Sequence, residues 1–257
     1  MLHELHRRLP HEAVLYVADL AWFPYGPRRL SEVRRRALEI VERFIELDTK
    51  LVVIACNSAT AAALNAARER FDIPIVGVIS PGAQAAVELT ANGRVAVWST
   101  EATLTSGEYV HAIKEANPGV AVLGVAAPEL VDIVESGDAD SIRAEQALSP
   151  LVEGALSWGA DTLVLGCTHY PLLTRALRRV VGARALNVVD SAATTAARVE
   201  RILSVNRLRA ERGSAAVELM VTASPDRFLD SARRLFGDDL SSPGLMTLPP
   251  AGLAIAR

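Results

Sequence analysis

Short runs of Val, Ile and Leu recur along the chain, separated by longer segments in which apolar residues return every three or four positions. The runs are AVLYVAD (13–19), LVVIA (51–55), PIVGVI (74–79), RVAVWS (94–99), VAVLGVA (120–126), TLVLG (162–166) and ALNVVD (185–190). Strands this short and this uniformly apolar are predicted to be covered on both faces, because a half-exposed strand would alternate apolar with polar residues. Most of the intervening segments read as amphipathic helices. In LSEVRRRALEIVERFIELD (30–48), Val33, Leu38, Val41, Phe44 and Ile45 recur at roughly helical spacing. The alternation predicts an α/β protein with mostly parallel, doubly wound sheets. VELMVTAS (217–224) and PDRFLDSARRLFG (225–237) add a late strand and helix, and the tail DDLSSPGLMTLPPAGLAIAR reads as an irregular end without chemistry.

An internal repeat divides this pattern. Setting Cys56 over Cys167, an offset of 111 residues, aligns the apolar runs before them and the helices after them. Adding 24 to each cysteine reaches Ser80 in PIVGVISPGAQAAVE and Ser191 in ALNVVDSAATTAARVE. Each half therefore reads strand, Cys, helix, strand, Ser, helix. The turn ANGR (91–94) marks a first crossing between halves and residues 192–205 a second. The predicted organisation is two similar domains, residues 1–92 with 205–257 and residues 93–204, with the active site in the cleft between them.

Composition narrows the partners. The 257 residues are 50% hydrophobic, enough for a substantial core, and 27 basic against 30 acidic residues give a net charge of -3. This balance points away from nucleic acid and from a polybasic membrane anchor, and towards small metabolites or other proteins. No apolar stretch approaches a membrane span, and MLHELHRRLPHE has no apolar signal core, so the expected location is cytoplasmic. Two cysteines make neither a disulfide framework nor a zinc knuckle; both are expected to be reduced.

Both thiols fall at the carboxyl ends of predicted parallel strands, where open α/β sheets bind ligands. The following helix start offers unpaired N–H groups that stabilise a thiolate or a substrate carboxylate. The alternative is that cysteine, among the most buried residue types, fills core space. Cys167 is followed by Thr168, His169, Tyr170 and Pro171, with Pro171 expected in the first helical turn. His169 is either a general base or acid beside the thiol or a helix cap. No third ligand suggests a metal site. FPYGPRRL (23–30) is a turn in which Gly26 and Pro27 account for the geometry and Tyr25 is available to line a pocket. Glu129, Asp132 and Glu135 on PELVDIVESG (128–137) read as solvated acids by spacing alone. A Walker-type loop, GxGxxG and HExxH are absent. A thiol on each side of a small substrate predicts proton removal from one face of a carbon and return to the other, which inverts a stereocentre.

Together DLAWFPYG, VVIACNSATAAAL, IPIVGVISPGA, STEATLTSGEY, DTLVLGCTHYPLL and VVDSAATTA resemble the cofactor-independent glutamate racemases, from about residue 1 to about residue 237. The resemblance implies that Cys56 takes the α-proton of D-glutamate, that Cys167 takes that of L-glutamate, and that His169 assists Cys167. It assigns the substrate's polar groups to Asn57, Ser58 and Thr168. The family usually carries Thr at the position of Ser58, and both residues supply a hydroxyl. Pro24, Tyr25 and Gly26 match the family's pocket loop, Asp19 the acid at the end of the preceding strand, and Glu135 the glutamate of its P…VE segment; all five join the expected substrate site. No cofactor is implied. Family members commonly form homodimers, sometimes under regulation by a cell-wall precursor, and supply D-glutamate for peptidoglycan.

One departure matters. Family members open with a strand ending in a Phe-Asp-Ser-Gly-x-Gly-Gly-Leu type loop, whose Asp assists the first cysteine, whereas this sequence starts at MLHELHRRLPHE, which resembles the segment on the C-terminal side of that loop. The expectation is a sheet with one strand absent, Cys56 without its acidic partner, and poor activity and reduced stability. An upstream segment omitted at an alternative start is the favoured account; a shortened, inactive binding or regulatory relative is the other. A racemase or isomerase of aspartate or another small diacid would keep both cysteines and change the residues around the distal carboxylate.

Overall fold

In the computed structural model, which describes residues 1–213, 216–236 and 242–248, helices and strands alternate along the whole described chain. The first half runs α1 (Leu2–Arg8), β1 (Val14–Ala18), α2 (Leu30–Glu46), β2 (Val52–Ile54), α3 (Asn57–Arg70), β3 (Ile75–Gly77) and α4 (Ile79–Leu89). The second runs β4 (Arg94–Ser99), α5 (Glu101–Ser106), α6 (Glu108–Ala116), β5 (Ala121–Ala126), α7 (Glu129–Glu135), α8 (Ile142–Ser157), β6 (Thr162–Gly166), α9 (Thr174–Val181), β7 (Asn187–Asp190) and α10 (Ser191–Val205). The chain then adds β8 (Val217–Val221), α11 (Pro225–Phe236) and β9 (Gly244–Leu245).

Every strand pairing is parallel. The second half carries one four-stranded sheet in the order β5-β4-β6-β7. Its central strands are apolar because helices cover both faces: β6 is buried throughout and β4 everywhere but Arg94. Trp98 and Leu163 anchor one side with α7, α8 and α9, and Val95, Val97 and Val164 the other with α4 and α6.

The first half is built differently. Here β2 pairs with β3, while β1 pairs with β8, which pairs with β9, so two separate sheets stand where the second half has one. Among the described residues no strand joins β1 to β2, although β4 joins their counterparts β5 and β6. Helix α2 packs on the β2–β3 sheet and α3. Its buried stripe of Val33, Ala37 and Val41 packs with Val52 and Ile54 of β2 and with Ala59, Ala62 and Ala63 of α3. The alanines of α3 let the two helices approach closely. At its start, Glu32 accepts from the Arg29 backbone N–H at 3.3 Å, satisfying one of the free donors of the first turn.

Two sequence expectations need correction. The tail holds a short strand, because Gly244 and Leu245 extend the sheet beside Met220 and Val221; residues 237–241 and 249–257 lie outside the described residues. The two serines of the repeat are also not equivalent. Ser191 is buried as the first residue of α10, whereas Ser80 is exposed as the second of α4, because α4 starts one residue earlier in the register set by the two cysteines. Among the described residues no helix is long and apolar enough to cross a membrane.

Candidate active site

Cys56 follows β2 and caps α3, its extended backbone placing the thiol at the helix mouth. The thiol is free and half-buried. Burial pushes its pKa up to about 11, and the nearby Cys167 adds to the rise. The N–H groups of Ala59 and Ser58 and the Ser58 hydroxyl oppose it, as expected at a helix N-terminus. The next two residues reach across to the second half. The Ser58 hydroxyl lies 2.9 Å from that of Thr100 and 3.3 Å from that of Thr103, and Tyr109 donates to Asn57 Oδ1 at 2.8 Å.

Cys167 follows β6 and is buried and free. Its setting departs from that of Cys56. The expected helix begins only after a 3₁₀ turn, Tyr170–Leu173, so Cys167 caps nothing. Pro171 in that turn has no N–H to give, and Tyr170 is drawn inward by hydrogen bonds from its hydroxyl to the carbonyls of Ala127 (2.7 Å) and Ser99 (3.1 Å). A histidine takes the place of the helix mouth. His169 Nδ1 stands 3.8 Å from the Cys167 sulfur, and Nε2 stands 2.8 Å from Glu135 Oε1. Burial works to lower the His169 pKa, but the bonds to Cys167 and Glu135 outweigh it and raise it to about 9. Thr168 is exposed, with its hydroxyl 3.5 Å from His169 Nδ1.

The loop after β1 closes over this pair. Phe23 lays its ring 5.9 Å from the His169 ring, centroid to centroid, so the first half reaches the second cysteine's partner. Gly26 accepts from the Ala102 N–H at 3.1 Å, and a Cβ there would sit 3.1 Å from Thr100 Cβ, a close approach of the loop to the start of α5. Gly166, just before Cys167, has a harder constraint: a Cβ would lie 2.8 Å from the Trp98 carbonyl oxygen and 3.0 Å from the Tyr109 ring.

Asp19 anchors the loop. Its Oδ1 accepts from Arg36 Nη2 (2.7 Å) and Thr222 (2.6 Å), and its Oδ2 from Arg36 Nε (2.8 Å) and Tyr25 (2.5 Å). Burial would raise its pKa, yet these donors hold it below the usual carboxylate value. Burial and the Asp19 charge in turn raise that of Tyr25. With four protein donors engaged, Asp19 and Tyr25 hold one another and the loop in place.

The residues expected from sequence thus fall into connected sets: Cys56, Asn57 and Ser58; Cys167, Thr168, His169 and Glu135; and Asp19, Pro24, Tyr25 and Gly26. Glu135, a solvated acid by spacing, is the partner of His169. Sequence reasoning missed Arg36, Thr100, Tyr109 and Thr222. Arg36 had a signal, an arginine on the buried face of α2 between Val33 and Ala37, and Thr100 and Tyr109 lie within the motif STEATLTSGEY. Thr222 had none.

These features define a class: an α/β protein of two related halves, each presenting one free thiol at a strand end, with Cys167 close enough to raise the pKa of Cys56. The chain belongs to the Asp/Glu/Hydantoin racemase family, whose description matches residues 1–199. It is 43% identical to the glutamate racemase of Saccharopolyspora erythraea over 243 residues, covering 93% of this chain and 88% of that protein. Its fold is similar to that of a glutamate racemase from Bacillus anthracis, with a TM-score of 0.85 and 33% identity over 96% of this chain and 91% of that one. The glutamate racemase of Thermus thermophilus, solved in complex with β-chloro-D-alanine, gives the same TM-score, identity and coverage.

Proposed function

We propose that the protein is a glutamate racemase, an isomerase that interconverts L- and D-glutamate with two thiols and no cofactor, supplying D-glutamate for peptidoglycan. The observation that carries this reading is the pair of free, neighbouring cysteines at equivalent strand ends, in a chain of this family. Cys56 as thiolate removes the α-proton of D-glutamate, and Cys167 as thiol delivers a proton to the opposite face of the same carbon. The products are L-glutamate, a Cys56 thiol and a Cys167 thiolate; the reverse reaction exchanges the roles. Between the two transfers the negative charge sits on the α-carbon and its carboxylate, where fixed donors stabilise it. Asn57, Ser58 and Thr168 bind the substrate's polar groups, and the loop carrying Pro24, Tyr25 and Gly26 walls the pocket. His169, oriented by Glu135, stabilises Cys167 as thiolate and shuttles its proton. The same reading divides the chain into residues 1–92 with 205–257 and residues 93–204, and includes a homodimer, which sedimentation of the purified chain tests.

The functional test is circular dichroism of D- and L-glutamate solutions with the wild type, Cys56→Ser and Cys167→Ser. The wild type should drive either enantiomer to the racemate. Each variant should lose nearly all turnover in both directions, since each cysteine is base one way and acid the other. Undiminished racemisation by either variant refutes the two-base reading.

A further inference from the structure

Asn57 is 3% exposed, and its two amide atoms have different fates. Oδ1 accepts the Tyr109 hydroxyl at 2.8 Å, while Nδ2 finds no acceptor among the described residues. A buried amide N–H₂ without a partner is costly, so its retention beside Cys56 calls for an explanation. Tyr109 supplies one. Its phenol is 4% exposed, and burial keeps it protonated, so its O–H needs an acceptor. Asn57 Oδ1 is the acceptor the fold provides. If the amide turned over, Nδ2 would face the phenol and leave its hydrogen without an acceptor, which fixes the orientation. The ring is buried against Gly166 at the end of β6 and Gly82 of α4, where a Cβ would lie 3.0 Å from its Cε2 and 3.5 Å from its hydroxyl respectively.

We propose that Tyr109 is a positioning residue that locks the Asn57 amide with Nδ2 free to donate to a carboxylate of the amino-acid substrate. The bond runs from α6 of the second half to α3 of the first, so a hydroxyl on one side of the site orients a donor on the other. The inference rests on glutamate being the substrate, and the test separates the two. Wild type, Tyr109→Phe, Asn57→Ala and the double variant are compared for KM and kcat with both enantiomers, or for the dissociation constant of D-glutamate by calorimetry where turnover is too slow. Phenylalanine keeps the ring packed and removes the hydroxyl alone. Tyr109→Phe should raise KM or the dissociation constant about tenfold in the wild-type background and less than about twofold beside Asn57→Ala, with kcat changed by under about threefold. An equal effect in both backgrounds, or none in the first, overturns the proposal. A wild type that neither binds nor racemises glutamate defeats the functional reading instead. Thermal unfolding of the same four proteins then decides about Tyr109: non-additive losses uphold its hold on Asn57, and additive losses overturn it.

Discussion

Replacing Glu135 with Gln isolates the charge behind His169, since glutamine keeps the shape and an acceptor oxygen while removing the anion. The raised His169 pKa, from an ordinary 6.5 to about 9, corresponds to roughly 3 kcal/mol of preference for the imidazolium, shared between Cys167 and Glu135 against the opposing effect of burial. The side chains of His169 and Glu135 are 20% and 29% exposed, so solvent screens part of their attraction, and the loss on substitution should be about 1–2 kcal/mol at pH 6 to 7. The sign comes from linkage. A base whose folded pKa lies above its unfolded value stabilises the fold fully below about 6.5, and that contribution disappears as pH rises through about 9. The difference in stability between wild type and Glu135→Gln should therefore be largest at pH 6 and close to nil by about pH 9.5. Urea unfolding across that range measures it, and the His169 Cε1–H resonance should titrate at least about one unit lower in the variant. A stability difference that is flat with pH, or that grows towards high pH, would refute the account of His169 as a cation held by Glu135.

The other predictions concern the first thiol and the framework. With its pKa pushed up to about 11, Cys56 should be alkylated by iodoacetamide at pH 8 about a hundredfold more slowly than a thiol of ordinary pKa, with a rate that keeps climbing tenfold per pH unit beyond pH 9. Peptide mapping by mass spectrometry reads this out, and a plateau below pH 9 would contradict it. Arg36→Leu leaves the Asp19 carboxylate buried without its cation, because the pair is 5% and 8% exposed, and should cost about 3 kcal/mol or more in urea unfolding. Adding Asp19→Leu to Arg36→Leu should restore part of that loss. Gly166→Ala presses a methyl to within 2.8 Å of the Trp98 carbonyl and against Tyr109, and should lower stability by about 1–3 kcal/mol in thermal unfolding while reducing turnover.

How much of this was legible in the sequence depends on whether a feature is local. The strands of the second half were plain because burial on both faces leaves near-continuous Val, Ile and Leu, as in β4 and β6. The two cysteines stood out because the repeat set each after such a strand, and a period of that length survives without any knowledge of packing. Contacts formed across the fold left no such mark. Glu135 looked like one of three solvated acids on a short helix; only the return of the chain 34 residues later brings His169 to it. The donors to Asp19 were hidden in the same way: Arg36, Tyr25 and Thr222, the last separated from it by 203 residues, meet its oxygens only in the fold. The symmetry of the repeat also concealed a chemical difference. One cysteine meets the N–H groups of a helix start, and the other, with Pro171 and Tyr170 delaying its helix, meets an imidazolium instead. In a two-base reaction each thiol must serve as acid and as base, so the two arms reach one function by unlike electrostatics. Burial leaves Cys56 with a pKa raised to about 11 that the helix N–H groups only partly offset, so forming its thiolate at neutral pH is costly and falls to the fixed donors around it.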